Sequence, residues 1–538
     1  MKGLKFIAVI VVVIIALQNN AFGQVSFSKT YGGRNNDGAS FVQQTSDGGF
    51  IIAGGTRSFG AGGADFLLIK TDASGNVQWA KTYGGTYSEG DPFVQQTSDS
   101  GFTVTSGTYS FGAGDMDILL IRTDAGGNLK WAKVYGGTNK DLAYSIQQTN
   151  DGGFIIAGGT WSFGAGDGDF LLIKTDASGN IQWAKTYGGS REDFASSVQK
   201  TSDGGFIVTG RSWSFGAGSG DFLLIKTDAS GNVQWAKTYG GSNQDFAYSV
   251  QQTSDGGFIV AGVTWSFGGI DILIIKTNLN GSVQWAKTYG GASGDYAYSV
   301  QQTSDGGFIV AGETGSFGAG WSDFLIIKTD ANGNVQWAKT YGGAKNDWAN
   351  SVQQSKDRGF ILTGYTESFG VDPYDILLIK TDSNGNIGSC SMVGNATPTV
   401  TTPSLTVTTQ ILITSSVNFI STNASITVTS PTITISDVCP LTSVPSESSV
   451  PLQFKLLQNY PNPFNSTTTI PFLLPQRTNV TLKVYDVFGR EIATLINKEF
   501  DAGEHSIQFN ANDLPTGVYF YRLQAGNFVE QKKMILIK

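Results

Sequence analysis

The stretch YGGSNQDFAYSVQQTSDGGFIVAGVTWSFGGIDILIIKTNLNGSVQWAKT, residues 239–288, is one turn of a repeat. Its opening Tyr-Gly-Gly recurs at Tyr31, Tyr83, Tyr135, Tyr187, Tyr239, Tyr289 and Tyr341, at intervals of 52 residues except one of 50. Each period carries four apolar or alternating runs, here residues 249–253, 257–262, 271–276 and 282–289, with Gly, Asn, Asp and Ser between them. Ile, Val, Phe, Leu and Trp fill the runs, so they read as strands, and no helix is needed. Four short strands in about 50 residues is the signature of a propeller blade, and seven periods predict a seven-bladed β-propeller.

Within a period the connections Ser202 to Gly205 and Asp228 to Asn232 are made of residues that accept positive φ or turn the chain onto its own hydrogen bonds, which predicts two tight hairpins. The third run, such as Phe222 to Ile225, is apolar without alternation, as expected of a strand covered on both faces. The fourth, Val233 to Lys237, alternates and should be more exposed. An early copy of this fourth run stands at Val25 to Tyr31, with Phe27 in register with Trp79, while the last copy has decayed to Asn386 to Cys390. The N-terminal segment should therefore pair into the last blade and close the ring, removing the free edges an open ring would expose.

The balance of 35 basic and 43 acidic side chains, net charge −8, without a long basic run, argues against nucleic acid as a partner. Residues 1–23 read as a secretory signal: Lys2 and Lys5 precede an apolar stretch from Phe6 to Leu17, with Ala21-Phe22-Gly23 as a cleavage site. The apolar run is shorter than the ~20 residues that span a bilayer, so export is expected, with a retained N-terminal anchor as the alternative, and no later segment reads as a transmembrane helix. The domains expected are the signal (1–23), the propeller (24–390), a Thr/Ser-rich segment (391–450) and a C-terminal domain (451–538). Cys390 and Cys439, the two cysteines, flank the Thr/Ser-rich stretch and in an exported chain most simply form a disulfide. The stretch between them suits either a small β element or an extended stalk.

From Leu456 onward, strand-like runs at short spacing predict a small Ig-like β-sandwich, so the whole chain reads as all-β. Pro461-Asn462-Pro463-Phe464, residues 484–491 (VYDVFGRE), residues 514–523 (LPTGVYFYRL) and the basic tail 532–538 (KKMILIK) resemble the C-terminal sorting domain of proteins exported by the type IX secretion system. That resemblance implies a route: recognition of this domain by the outer-membrane translocon, its removal, and attachment of the passenger to the cell surface or its release. The repeats are also similar to bacterial seven-bladed propeller repeats that precede such domains, a likeness that supplies fold and not activity.

No histidine or cysteine precedes Cys390, so the propeller lacks conventional His/Cys zinc sites and histidine-based triads; the one histidine is His505. Acids recur once per blade rather than as one asymmetric pair, and no break in the repeat of the kind a catalytic centre needs is evident. Residues 201–205 partly resemble the Asp box of sialidase propellers, with Val208 where an aromatic belongs. Residues 227–232 lack the alternating acids of a calcium loop, so a plain hairpin is expected. No catalytic residue, metal or cofactor is assigned.

The two hairpins share one end of the propeller, so variation collects at the other. After the second strand the varying residue is Arg57, Tyr109, Trp161, Trp213, Trp265, Gly315 and Glu367 in turn. The link between blades holds an acid at one register: Asp37, Glu89, Asp141, Asp193, Asp245, Asp295 and Asp347, followed by residues that include Trp348. These acids either cap backbone N–H groups while the aromatics pack between blades, or they join Tyr109, Trp161, Trp213, Trp265 and Trp348 in a ligand platform. The function expected is an exported, non-enzymatic propeller, secreted or at the cell surface, binding glycan or protein. A polysaccharide hydrolase or lyase on the same scaffold, or a structural surface component, is the alternative.

Overall fold

The computed structural model describes residues 26–371, 373–388, 390–417, 420–439, 454–459, 462–512 and 514–537. The signal segment and residues 440–453 lie outside them. Two compact units result, one up to Pro440 and one from Leu441.

The first unit is a closed ring of seven antiparallel sheets. Blade 4 shows how each is built: Asp193–Lys200 lies innermost, followed outward by Phe206–Ser212, Asp221–Thr227 and Val233–Gly240. The third strand is buried along its whole length, because the faces of neighbouring sheets meet over it. The core consequently lies between blades. Phe222, Leu224 and Tyr239 of blade 4 pack against Val250, Phe258 and Leu273 of blade 5, and equivalent clusters recur around the ring. Each repeat tyrosine is fully buried and donates its hydroxyl to a hairpin carbonyl of the next blade, as Tyr239 does to Gly281 at 2.6 Å and Tyr31 to Gly75 at 2.6 Å. The first glycine of Tyr-Gly-Gly has no room for a side chain: a Cβ on Gly84 would sit 1.8 Å from Asp65 Oδ1.

Two further seams follow from the repeat. The first Gln of each inner strand accepts from the backbone N–H of the next inner strand, and Gln353 does so for Gln44 at 2.6 Å, which closes blade 7 onto blade 1. In the hairpin end, a nearly buried cation on the third strand clamps the aspartate of the first hairpin. Lys226 Nζ lies 2.8 Å from Asp203 and also donates to Thr227 O and Gln234. Despite partial desolvation, these bonds hold Asp203 down to about 2. The aspartates of the turn that partly resembled an Asp box are thus turn residues clamped by a lysine or, for Asp99, by Arg122, and Asp228 in the second hairpin caps the N–H groups of Ser230 and Asn232.

The N-terminal strand, Phe27–Gly32, pairs with Asp375–Thr381 as the fourth strand of blade 7, with Phe27 opposite Lys380 as Trp79 is opposite Lys70. Ring closure from the N-terminus is therefore present.

Every blade also has a fifth strand, which the repeat does not encode. It comes from the Thr/Ser-rich segment, left open above as β element or stalk. After blade 7 the chain turns back and runs once around the rim against the direction of the repeats. Val393–Asn395 pairs with blade 6, Thr399–Thr401 with blade 5, Thr406–Thr409 with blade 4 and Ile413–Ser416 with blade 3. Ile420–Asn423 then pairs with blade 2, Thr427–Thr429 with blade 1, and Thr434–Cys439 with the N-terminal strand. The register is a ruler: the seven repeat tyrosines stand opposite residues 393, 400, 407, 414, 421, 428 and 435. Seven extended residues reach roughly 23 Å, so one heptad serves each blade. Thr408 and Thr238, and likewise Thr401 and Thr288, share hydroxyl bonds across the new ladder at 2.7 and 2.6 Å. Leu405, Leu412, Ile426 and Ile433, also on a seven-residue spacing, tuck against the inter-blade clusters. Cys390 at the start of this strap is bonded to Cys439 at its end, 49 residues on. The strap is thereby a covalently closed hoop around the ring.

The second unit is a seven-strand sandwich. Lys455–Leu456, Thr467–Leu474 and Gly503–Asn510 form one sheet; Glu491–Phe500, Thr478–Tyr485, Gly517–Ala525 and Phe528–Leu536 form the other. Alternating residues such as Ile470, Phe472, Leu482 and Leu523 fill the space between them. The buried Tyr521 hydroxyl accepts from Asn459 N–H and donates to Leu457 O, both at 2.8 Å, tying the entering chain to the core. Among the described residues no helix is long and apolar enough to cross a membrane.

Candidate functional site

A funnel of about 470 Å³ opens at the end of the ring that carries the variable loops. Its wall comes from one local device. In six blades the inner strand bulges after an alanine, and the extra residue is Ser40, Tyr144, Ser196, Tyr248, Tyr298 or Asn350. A bulge re-aims a side chain, and each of these lines the funnel. Opposite the bulge the second strand must be glycine: a Cβ on Gly210 would lie 1.8 Å from the carbonyl oxygen of Phe194. In blade 2, Pro92 shortens the inner strand to Phe93–Gln96, and Asp91 projects into the opening instead.

A second varying register lies beside the first. At the end of the second strand the residues are Gly55, Gly107, Gly159, Arg211, Val263, Glu313 and Tyr365, each opposite the residue after the inter-blade acid, in blade 2 through the bond from Gly90 N–H to Gly107 O. Arg211 lies among three rings, its guanidinium carbon 5.2 Å from the Phe194 centroid, 4.8 Å from Trp213 and 5.3 Å from Phe246. Glu313 accepts from Tyr298 Oη at 2.9 Å, and burial raises its pKa. Asp91 is reached by solvent yet surrounded by protein on most sides, which raises its pKa too. Burial raises the phenols of Tyr144 and Tyr248, with the charge of Arg211 working against it. Deeper in the channel Phe41 and Phe93 meet at 6.2 Å. Among the described residues no three His, Cys, Asp or Glu side chains converge to hold a metal ion.

The aromatic residues expected on this face fall into different places. Tyr109 stands half-exposed on the funnel lip. Trp213 backs Arg211, and rings continue from it across three blades: Trp213 to Phe246 at 5.3 Å, Phe246 to Trp265 at 5.4 Å, Trp265 to Tyr296 at 6.1 Å. Trp161 packs on Phe194 at 4.5 Å and carries Lys140 5.2 Å from its ring, beside a shallow depression outside the funnel. Trp348 is grouped with Tyr365 and Tyr374 in blade 7.

The inter-blade acids are placed otherwise. Asp37, Asp141, Asp193, Asp245, Asp295 and Asp347 are at most 1% exposed and Glu89 5%. Each accepts from the second glycine of Tyr-Gly-Gly, as Asp245 does from Gly241 N–H at 2.8 Å, and from hydroxyls of the loop after the second strand, as from Ser266 at 2.8 Å. They fasten the link between blades to the variable loop and, being buried, do not face the funnel. Sequence reasoning missed three departures from the repeat, Asp91, Arg211 and Glu313, at registers where the other blades carry mostly Gly, Ala or other small residues. Comparing the blades at the last residues of the second strand and at the alanine that precedes the bulge would have found them.

These buried acids have a thermodynamic consequence. Desolvation raises Glu89 to about 7, and it likewise raises Asp221, the buried aspartate that opens the third strand of blade 4, to about 6. A carboxyl favoured in its protonated form by the fold contributes stability that is complete below its unfolded pKa and is lost as pH rises through the folded value. For Glu89 the window runs from 4.5 to about 7, worth on the order of 3 kcal/mol. Oε1 accepts from Gly85 N–H and Thr108, whereas Oε2 is buried without a partner. Glu89→Gln keeps the first oxygen and removes the charge, so its unfolding free energy should decline less between pH 5 and 8 than that of the parent. Denaturant titrations at the two pH values check this, and equal declines would refute it.

Residues 458–538 match the family described as the secretion system C-terminal sorting domain. The chain thus carries a sorting domain and is exported by the type IX route, to the cell surface or beyond it. A stretch of 131 residues is 30% identical to the regulatory protein FlaEY of Caulobacter vibrioides, covering 22% of this chain and 13% of that protein. A crystal structure of Sqt1 from Chaetomium thermophilum is similar with a TM-score of 0.35 and 11% identity, over 63% of this chain and 82% of that one.

Proposed function

We propose that the propeller is a non-enzymatic binding module that holds a hydroxyl-rich ligand, a glycan, in the funnel, and that the sorting domain delivers it to the cell exterior for this purpose. One observation carries the reading: the funnel wall is assembled from the registers at which seven otherwise near-identical blades differ. Positions that serve the scaffold are held constant around the ring by packing and hydrogen bonding, whereas these face open space. Tyrosine, serine and asparagine side chains that both donate and accept hydrogen bonds, set on aromatic surfaces, suit sugar hydroxyls and sugar faces. The arc from Trp213 to Tyr296 extends the same chemistry along the rim of the opening.

A filled funnel tests it. The bulge position carries tyrosine in blades 3, 5 and 6, so its backbone accepts a large side chain, and Ser196→Tyr should fold normally while occupying the space. On a glycan array the parent should bind a subset of saccharides and the variant should lose at least 10-fold in affinity with its melting temperature unchanged. Binding that survives Ser196→Tyr would move the site elsewhere. Release of soluble products from a bound polysaccharide would replace the binding module by an enzyme.

A further inference from the structure

Resting on that reading, we infer that the funnel is selective for a saccharide bearing a carboxylate, a uronic acid unit, with Arg211 as the anchor of the carboxylate and Asp91 as the acceptor of its hydroxyls. Six of the seven blades are complete without a cation in the register of Arg211, so the blade does not need one there. Arg211 is nevertheless held in place by Phe194, Trp213 and Phe246, at 4.8 to 5.3 Å, which fixes the plane of the guanidinium without using any of its N–H groups. Among the described residues it makes no ion pair and no side-chain hydrogen bond. Five donors in a planar fork, stacked and partly buried but unpaired, match a carboxylate presented edge-on.

Asp91 lines the same funnel from blade 2 and, among the described residues, likewise has no ion pair and no side-chain hydrogen bond. The two charges are not partners of each other, and both act on Tyr144, which stands between them on blade 3. A ligand that answers both must carry an anion at one end and hydrogen-bond donors at the other. A free α-amino acid or peptide end meets that description through its ammonium group. The remaining wall is mixed: hydroxyls and amides of Tyr144, Tyr248, Ser196 and Asn350 stand beside Met116 and Leu142, which matches the polar edges and apolar faces of a pyranose ring, and the tripeptide in the test below separates the two ligand classes. A bare phosphate or sulfate would satisfy Arg211 and leave Asp91 facing an anion.

The test uses the mature full-length chain and tryptophan fluorescence, since Trp213 adjoins Arg211. Trimers of galacturonate, glucuronate and mannuronate are titrated as free acids and as neutral methyl esters, alongside maltotriose, a tripeptide and inorganic phosphate. At least one acid should bind 10-fold or more tightly than its own ester, and that ratio should collapse toward one in Arg211→Met. The methionine keeps the packing on the three rings. Arg211→Lys, which retains charge but not the fork, should restore part of the ratio, and Asp91→Asn should weaken acid and ester alike. Equal binding of acids and esters to the parent, or an unchanged ratio in Arg211→Met, overturns the inference while leaving a glycan-binding funnel intact. Tighter binding of the tripeptide or of phosphate overturns it in favour of those ligands. Absence of binding by every saccharide overturns both this inference and the function on which it rests.

Discussion

Replacing both Cys390 and Cys439 by serine is expected to lower the unfolding midpoint of the propeller substantially and to turn the strap into its first site of proteolysis. The disulfide joins the two ends of a segment that touches every blade, so the loop it closes, 49 residues by sequence separation, is also the circumference of the fold. The loop-entropy argument gives about 4 kcal/mol for a loop of this size. The hoop adds a positional effect: Cys439 stands opposite Ser28, and Lys29 pairs with Asp437 at 3.5 Å, so the bond pins the last strap strand over the strand that closes the ring. Freed of it, Thr434–Cys439 can peel away and bare the edge of blade 7, a template for aggregation. Thermal unfolding and limited proteolysis, with and without reductant, measure both effects. An unchanged midpoint together with an intact strap would show that the hydrogen-bond ladders alone hold the strap in place.

The largest loss is expected from the N-terminal strand. Phe27 is 2% exposed and Tyr31 fully buried, and both belong to the cluster that joins blade 7 to blade 1. Phe27→Ala and Tyr31→Ala should each cost about 3–5 kcal/mol by the usual cost of emptying an aromatic site in a core. Together they approach the whole stability of a typical domain, about 5–15 kcal/mol. The double variant should therefore accumulate as aggregate or as a protease-sensitive chain, because Asp375–Thr381 on one side and Thr434–Cys439 on the other both depend on this strand. Recovery of a soluble, cooperatively unfolding double variant would mean that the ring closes by another route. The exposed Phe488 of the sandwich is a control, since Phe488→Ala removes little buried surface.

The seven-blade count, the hairpin end, the fully covered third strand and the closing role of residues 27–31 were all legible in the sequence. They depend on local rules: apolar period, turn residues and near-identical repeats that must bury the same faces. The type IX sorting domain was legible for the same reason, its motifs being contiguous. The fifth strand was not read, although its signal was present. Residues 393, 400, 407, 414, 421, 428 and 435 form a heptad series, but with small and hydroxyl-bearing residues on one side and water on the other it has neither the strict alternation nor the apolar run of an ordinary strand. Its conformation is imposed by the unpaired edge of each blade.

The site divides along the same line. Sequence alone placed the variation between blades at the variable-loop end, because the hairpin end scarcely changes from blade to blade. It could not decide which variable side chains point inward, since a recurrent acid and a recurrent ligand look alike in one dimension. Tertiary structure placed the seven acids beneath the loops, where they accept from N–H and hydroxyl groups of the link and the loop. It brought Asp91, Arg211 and the three bulge tyrosines together from blades 2 to 6 around one opening. Closing the ring makes neighbours of side chains some fifty residues apart, and the bulge turns into the channel a residue that regular pairing would have placed otherwise.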